Sequence, residues 1–135
     1  AAYIQRQTGC NVYLSEEELP YLNGQRERQP NKQAMCNDHP IEVPDLTIYK
    51  GDTVGEFRLL PTPGHTPGHL CILYRDILFP GDQCISIDGR LAGPNPVWTL
   101  DLDLASRSME VLRKASFRWI CPAHGQPVQV EAFPL

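Results

Sequence analysis

No apolar stretch in these 135 residues approaches the ~20 needed to span a bilayer, so the sequence offers no candidate transmembrane helix. No secretory leader pattern is visible at this N-terminus either, and since the natural N-terminus reads as missing, export stays open. Basic clusters are missing as well. Twelve Lys and Arg stand against 16 Asp and Glu, a net charge of −4, which argues against a nucleic-acid backbone as an obligate partner. The five cysteines, Cys10, Cys36, Cys71, Cys84 and Cys121, are scattered and include no C-x-x-C pair. That excludes a disulfide framework as the organising principle and points to a reducing, cytoplasmic setting. Cys71 and Cys121 lie in apolar runs and read as buried structural thiols. No internal repeat or low-complexity tract appears, and histidine is scarce, with four in the whole chain.

What is present is a hydrophobic fraction of 41% and a charged fraction of 21%, the balance of a globular protein. The length suits a single domain spanning residues 1–135 with a core of its own. Two of the four histidines sit in Pro61-Thr62-Pro63-Gly64-His65-Thr66-Pro67-Gly68-His69. Three prolines and two glycines there forbid a helix and disfavour a regular strand, because proline lacks the amide donor and glycine admits angles other residues avoid. From this stretch alone, a stiff loop presenting a ligand or base and an ordinary proline-rich surface turn are both open.

Two further turns repeat the pattern. Glu56 to Leu60 is a strand-like run leading into the first loop. Asp76-Ile77-Leu78-Phe79 ends in Pro80-Gly81-Asp82, and Phe117 to Cys121 ends in Pro122-Ala123-His124-Gly125. Each apolar run stops at Pro or Gly, and a side chain able to bind metal follows. Strands of an α/β sheet bring the loops at their carboxyl ends to a common edge, where sites form. His65, Asp82 and His124 are therefore candidates for one cluster, and two imidazoles with a carboxylate suit zinc, iron or manganese. Gly64, Gly81 and Gly125 flank these residues where a Cβ would push a ligand out of line.

Pro63 to His69, Leu78 to Asp82 and Pro122 to Gly125 together resemble the later metal motifs of the metallo-β-lactamase superfamily, in order and in approximate separation. Tyr49 to Val54 is similar to the turn that precedes them. The family's first motif, H-x-H-x-D-H, is absent, while the segments that follow it in relatives have counterparts in Ala1 to Gln7, Thr8 to Tyr13 and Ser15 to Leu19. With no initiator methionine, the chain reads as an N-terminally incomplete domain of this kind. Cys36-Asn37-Asp38-His39 only imitates the tail of the missing motif and reads as a turn.

The resemblance implies an α/β fold: a mixed β-sheet flanked by helices, the latter part of an αββα sandwich. It implies up to two Zn2+ ions in the complete protein, with Fe or Mn as alternatives. Metals of this kind lower the pKa of bound water from 15.7 to about 7, providing hydroxide near neutral pH. His65 and His124 would each complete one metal's shell, and Asp82, projecting from a rigid turn, would bridge the two and serve catalysis. His69 matches no ligand position and is expected to orient its loop or hydrogen-bond to a neighbour. The implied activity is hydrolysis of an ester, thioester, lactone, β-lactam or phosphoester in a small-molecule substrate. The Thr-Pro-Gly-His-Thr-Pro-Gly-His form leans toward the glyoxalase II-like branch, although no thioester-recognition domain follows. A non-catalytic remnant kept for binding or assembly, and a di-iron redox protein on the same scaffold, are the competing readings. A homodimer is a further expectation, because a sheet without its partner layer exposes apolar surface.

Local patterns complete the reading. Ala1 to Gln7 is expected to be helical with Gly9 as its stop, and Asn11 to Leu14 a short strand. Ser15 with Glu18 forms a capping-box pattern for a helix ending around Tyr21 to Asn23, followed by a loop over Gln25 to His39. Leu46 to Tyr49, Gly55 to Leu60, Leu70 to Tyr74, Ile77 to Phe79 and Cys84 to Ile87 read as strands, with turns at Arg75-Asp76 and Asp88-Gly89. Asp101 to Lys114 is the clearest helix, with Leu102, Ala105, Met109 and Leu112 on one face. Asp103 reads as a helix-start residue, Trp98 as packing, and Val128 to Val130 as a short edge strand.

Overall fold

A computed structural model describes residues 1–26, 43–131 and 133–135. The chain divides into two compact units, Ala1–Lys50 and Gly51–Leu135. Cys36 to His39 lies outside the described residues.

In the first unit, helix α1 (Ala2–Thr8) ends at Gly9, which takes the left-handed φ of 67° and donates its amide to the Gln5 carbonyl at 2.8 Å. Glycine meets that requirement without the Cβ penalty. Strand β1 (Val12–Leu14) pairs in parallel with β2 (Leu46–Ile48). The Gln5 side-chain amide donates to the Asp45 carbonyl at 2.8 Å and accepts from the Asp45 amide at 2.9 Å, tying α1 to the start of β2. Between the strands lie a 3-10 turn, Glu16–Glu18, and the short helix α2 (Leu19–Leu22). The Ser15 capping box does not form. Its side chain makes no cap bond, and the Ser15 carbonyl instead accepts from the Glu18 amide at 3.1 Å, the i to i+3 closure of a 3-10 turn.

The second unit is built on a six-stranded mixed sheet in the order β10-β9-β6-β5-β4-β3. Its strands are β3 (Thr53–Val54), β4 (Phe57–Pro61), β5 (Leu70–Tyr74), β6 (Ile77–Phe79), β9 (Trp119–Ile120) and β10 (Val128–Gln129). Neighbours are antiparallel except β6 and β9, which run parallel. The Arg75-Asp76 turn joins β5 to β6 with Arg75 at φ 55°. A separate hairpin pairs β7 (Ile85–Ile87) with β8 (Arg90–Ala92) through Asp88 and Gly89, both at positive φ. Positive φ at both central residues matches the right-handed twist of the flanking strands. The turn was legible in the sequence, whereas the return strand β8 was not.

Helix α3 (Leu102–Arg113) starts at Asp101, whose carboxylate accepts from the Leu104 amide at 2.8 Å. Its buried face is Ala105, Ser108, Met109 and Leu112. Leu102 departs from the expected stripe, being 40% exposed in the first turn, and Ser108 takes a place in the buried face. Trp98, expected to pack, is likewise exposed. The core gathers Leu60, Cys71, Leu73, Leu78, Cys84, Leu112, Phe117 and Ile120. Cys121, read as buried, is only half-buried.

Candidate metal centre

Strand direction determines where the three turns emerge. β4 and β6 are each antiparallel to β5, so they run in the same sense, and β9 is parallel to β6. The carboxyl ends of β4, β6 and β9 therefore share one edge of the sheet, and the segments bearing His65, Asp82 and His124 leave from it.

Backbone hydrogen bonds then hold the turns together. The loop after β4 is closed at its base by the Thr62 amide donating to the His69 carbonyl at 3.0 Å, and inside by the Gly64 amide donating to Thr66 at 3.0 Å. Helix α3 grips it from its N-cap and its buried face: the Asp101 amide donates to the Gly64 carbonyl at 2.9 Å, and the Ser108 hydroxyl to the Pro63 carbonyl at 2.7 Å. Gly64, at φ 141°, lies so close to the backbone of Ala105 that a Cβ would collide with it. The two later turns are bonded to each other, the Ala123 amide donating to the Gly81 carbonyl at 3.1 Å. The Ser86 amide donates to the His124 carbonyl at 3.0 Å, and Gly125, at φ 100°, is pressed against the Ser86 carbonyl.

The side chains converge on one carboxylate. His65 Nε2 lies 3.5 Å from Asp82 Oδ2, and His124 Nε2 lies 3.2 Å from Asp82 Oδ1. Exposure is graded across the three: the side chain of His65 is 14% exposed, Asp82 35% and His124 75%. One imidazole is thus fixed in the loop while the other borders solvent.

His69 stands just behind. Its Nε2 accepts from the Asp82 amide at 3.3 Å, its Nδ1 lies 2.9 Å from the Thr62 hydroxyl, and its ring meets that of His65 edge-on at 5.7 Å. Gly81, at φ 56°, makes room for it, since a Cβ there would sit 2.8 Å from His69 Nε2.

Two imidazole nitrogens and two carboxylate oxygens are donor types that divalent first-row metals accept. The set is also partial. Among the described residues, no group of three or more His, Cys, Asp and Glu side chains is placed to hold a metal ion. Each imidazole meets a different oxygen of Asp82, an arrangement that suits a carboxylate shared between two positions. The nearby thiols take no part: Cys71 and Cys84 are fully buried in the core, and desolvation pushes both thiols up to about 12.

Sequence reasoning placed the three turns at one edge, and the structure brings His65, Asp82 and His124 together there. It missed Thr62 and Cys71 as partners beneath the site. The only signal was their placement at the base of the loop and at the start of the next strand, positions that ordinarily mean packing.

The sequence profile described as metallo-beta-lactamase superfamily matches residues 1–124. The chain is 25% identical over 152 residues to the probable metallo-hydrolase YflN of Bacillus subtilis, a match covering 90% of this chain and 57% of that protein. It is 47% identical over 45 residues to the hydroxyacylglutathione hydrolase of Halorhodospira halophila, covering 33% of this chain and 17% of that one. Among solved structures it is similar to TTHA1623 in a di-iron-bound form, with a TM-score of 0.68 at 22% identity, over 95% of this chain and 64% of that one. The chain thus spans little more than half the length of the Bacillus protein.

Proposed function

The chain belongs to the metallo-beta-lactamase superfamily, and from that premise we propose that His65, Asp82 and His124 are ligands in the metal site of a hydrolase. The observation that carries the reading is the approach of two imidazoles, from separate turns, to opposite oxygens of one carboxylate. Divalent cations are the group this superfamily and donor set point to, and when bound they supply Lewis acidity that makes water nucleophilic near neutral pH. Zinc is the first candidate, with iron and manganese as alternatives.

Within that chemistry each residue has a distinct task. Asp82 presents one oxygen toward each imidazole and would be the carboxylate shared between cations. His65, clamped by the loop and α3, orients its Nε2 with little freedom. His124, largely exposed, borders the side from which a small-molecule substrate would approach. Four donor atoms from three residues fall short of two complete shells, so further ligands would be needed. An H-x-H-x-D-H segment of the kind the resemblance implies would provide them.

The bond attacked belongs to the class of esters, thioesters, lactones, β-lactams and phosphoesters. Thioester hydrolysis leads, supported by the Thr-Pro-Gly-His-Thr-Pro-Gly-His loop and by the local likeness to a hydroxyacylglutathione hydrolase. The scaffold alone does not choose among these reactions.

The test is to express the chain joined to such an upstream segment, purify it with zinc, manganese or iron supplied, and measure metal content and hydrolysis across that substrate panel. Bound metal and turnover of one class, both lost in Asp82→Ala, are expected. A folded protein with no metal by elemental analysis would sink the reading.

A further inference from the structure

Beneath the convergent side chains runs a line of hydrogen bonds that begins and ends on the same turn. It passes from the Asp82 amide to His69 Nε2 at 3.3 Å, then from His69 Nδ1 to Thr62 Oγ1 at 2.9 Å. It continues from Thr62 Oγ1 to Cys71 Sγ at 3.2 Å, and from Cys71 Sγ to the Pro80 carbonyl at 3.5 Å. Taken singly, the middle bonds have no fixed direction, since a hydroxyl, a thiol and a neutral imidazole can each donate or accept. The ends remove the ambiguity. An amide can only donate and a carbonyl can only accept.

With Nε2 accepting from Asp82, a neutral His69 carries its proton on Nδ1 and donates it to Thr62. The single Thr62 hydroxyl proton then goes to Cys71, and the Cys71 thiol proton to Pro80. Each of the four bonds then has one direction. Thr62 and Cys71 are fully buried, so water does not compete for these bonds, and burial keeps the thiol protonated and able to donate.

We propose that Thr62, His69 and Cys71 are positioning residues, a one-directional relay that brackets the Pro80–Asp82 turn at both ends and so aims the Asp82 carboxylate between His65 and His124. The proposal rests on the metal reading above for its purpose, but its geometry stands apart from any ion. Gly81 belongs to the device: only a residue without a Cβ lets the His69 ring come down onto the Asp82 amide.

The test is the tautomer of His69, read from long-range proton–nitrogen NMR correlations on the 135-residue chain at about pH 8, above the ordinary imidazole range. A proton on Nδ1 with Nε2 bare is expected. A proton on Nε2, or averaging between the two tautomers, overturns the relay. Thr62→Val, which keeps the shape but removes the acceptor, is expected to release the His69 ring and move the Asp82 amide resonance, and Thr62→Ser to restore both. A Val variant with the wild-type tautomer and the wild-type Asp82 amide resonance would also overturn the proposal. In the metal-loaded protein the Val variant is expected to bind zinc about 10- to 100-fold more weakly, the usual scale for groups that orient ligands. The two failures are separable: no zinc uptake by the chain joined to the upstream segment sinks the metal reading, and the wrong tautomer in the metal-free chain sinks the relay.

Discussion

Asp82 is the residue on which both imidazoles depend, because each Nε2 meets a different oxygen of its carboxylate. Its removal should therefore cost more than loss of a residue acting through a neighbour. Asp82→Ala is expected to weaken zinc binding by more than about 100-fold, beyond the range of orienting groups, as measured by competition with a chelating dye. An equal effect from His69→Ala would place His69 among the ligands instead. Gly125 makes a second point at this scale. At φ 100°, with the Ser86 carbonyl where a Cβ would go, it faces both strain and a clash. Gly125→Ala is expected to destabilise the chain by more than about 1 kcal/mol in urea titration, the opposite sign to a Gly→Ala change at a permissive angle.

Among the elements, α3 does two jobs. Its first turn holds the His65 loop through the Asp101 amide, and its buried face packs into the core through Leu112. The Asp101 carboxylate caps the Leu104 amide, so Asp101→Ala is expected to cost about 1 kcal/mol, measured by urea denaturation. Because the Asp101 amide remains, the His65 loop should keep its hold on α3 in that variant, and zinc binding should change far less than stability. This helix was plain in the sequence, as an acidic start and apolar residues three and four apart are local signals. The three strands that lead into the turns were also plain, although β4 runs on into Pro61 where Leu60 was the expected end, and β9 is shorter than the Phe117 to Cys121 run. Other features were not local. Ser15 and Glu18 satisfy the capping-box pattern, yet the backbone closes a 3-10 turn there. Strand β8 is too short and mixed to announce itself without its partner β7. Leu102 falls on the apolar stripe by spacing but lies at the open first turn. The bonds linking Thr62, His69 and Cys71 depend on strand register, which pairs Leu60 with Cys71 and Pro61 with Leu70. No single window of sequence contains that information.

For the molecule as a whole, the buried thiol of Cys71 links stability to pH. Desolvation, opposed in part by the Thr62 hydrogen bond and reinforced by Cys84, pushes this thiol up to about 12 from its ordinary value of 9.0. Below the ordinary value, folded and unfolded chains both keep the proton, and the thiol contributes no pH dependence. Above it, the unfolded chain releases the proton while the folded chain holds it, so the unfolded state is favoured as pH rises toward the folded value. Between those two values Cys71 should subtract about 1.4 kcal/mol of stability for each pH unit. Tyrosines and lysines also titrate in this range, so the informative quantity is a difference in slope. Urea midpoints taken from about pH 8 to about pH 11 should fall more steeply in the native chain than in Cys71→Ala, by close to one proton's worth. Parallel slopes would mean that the thiol ionises in the folded state, and hence that water reaches the layer beneath Asp82.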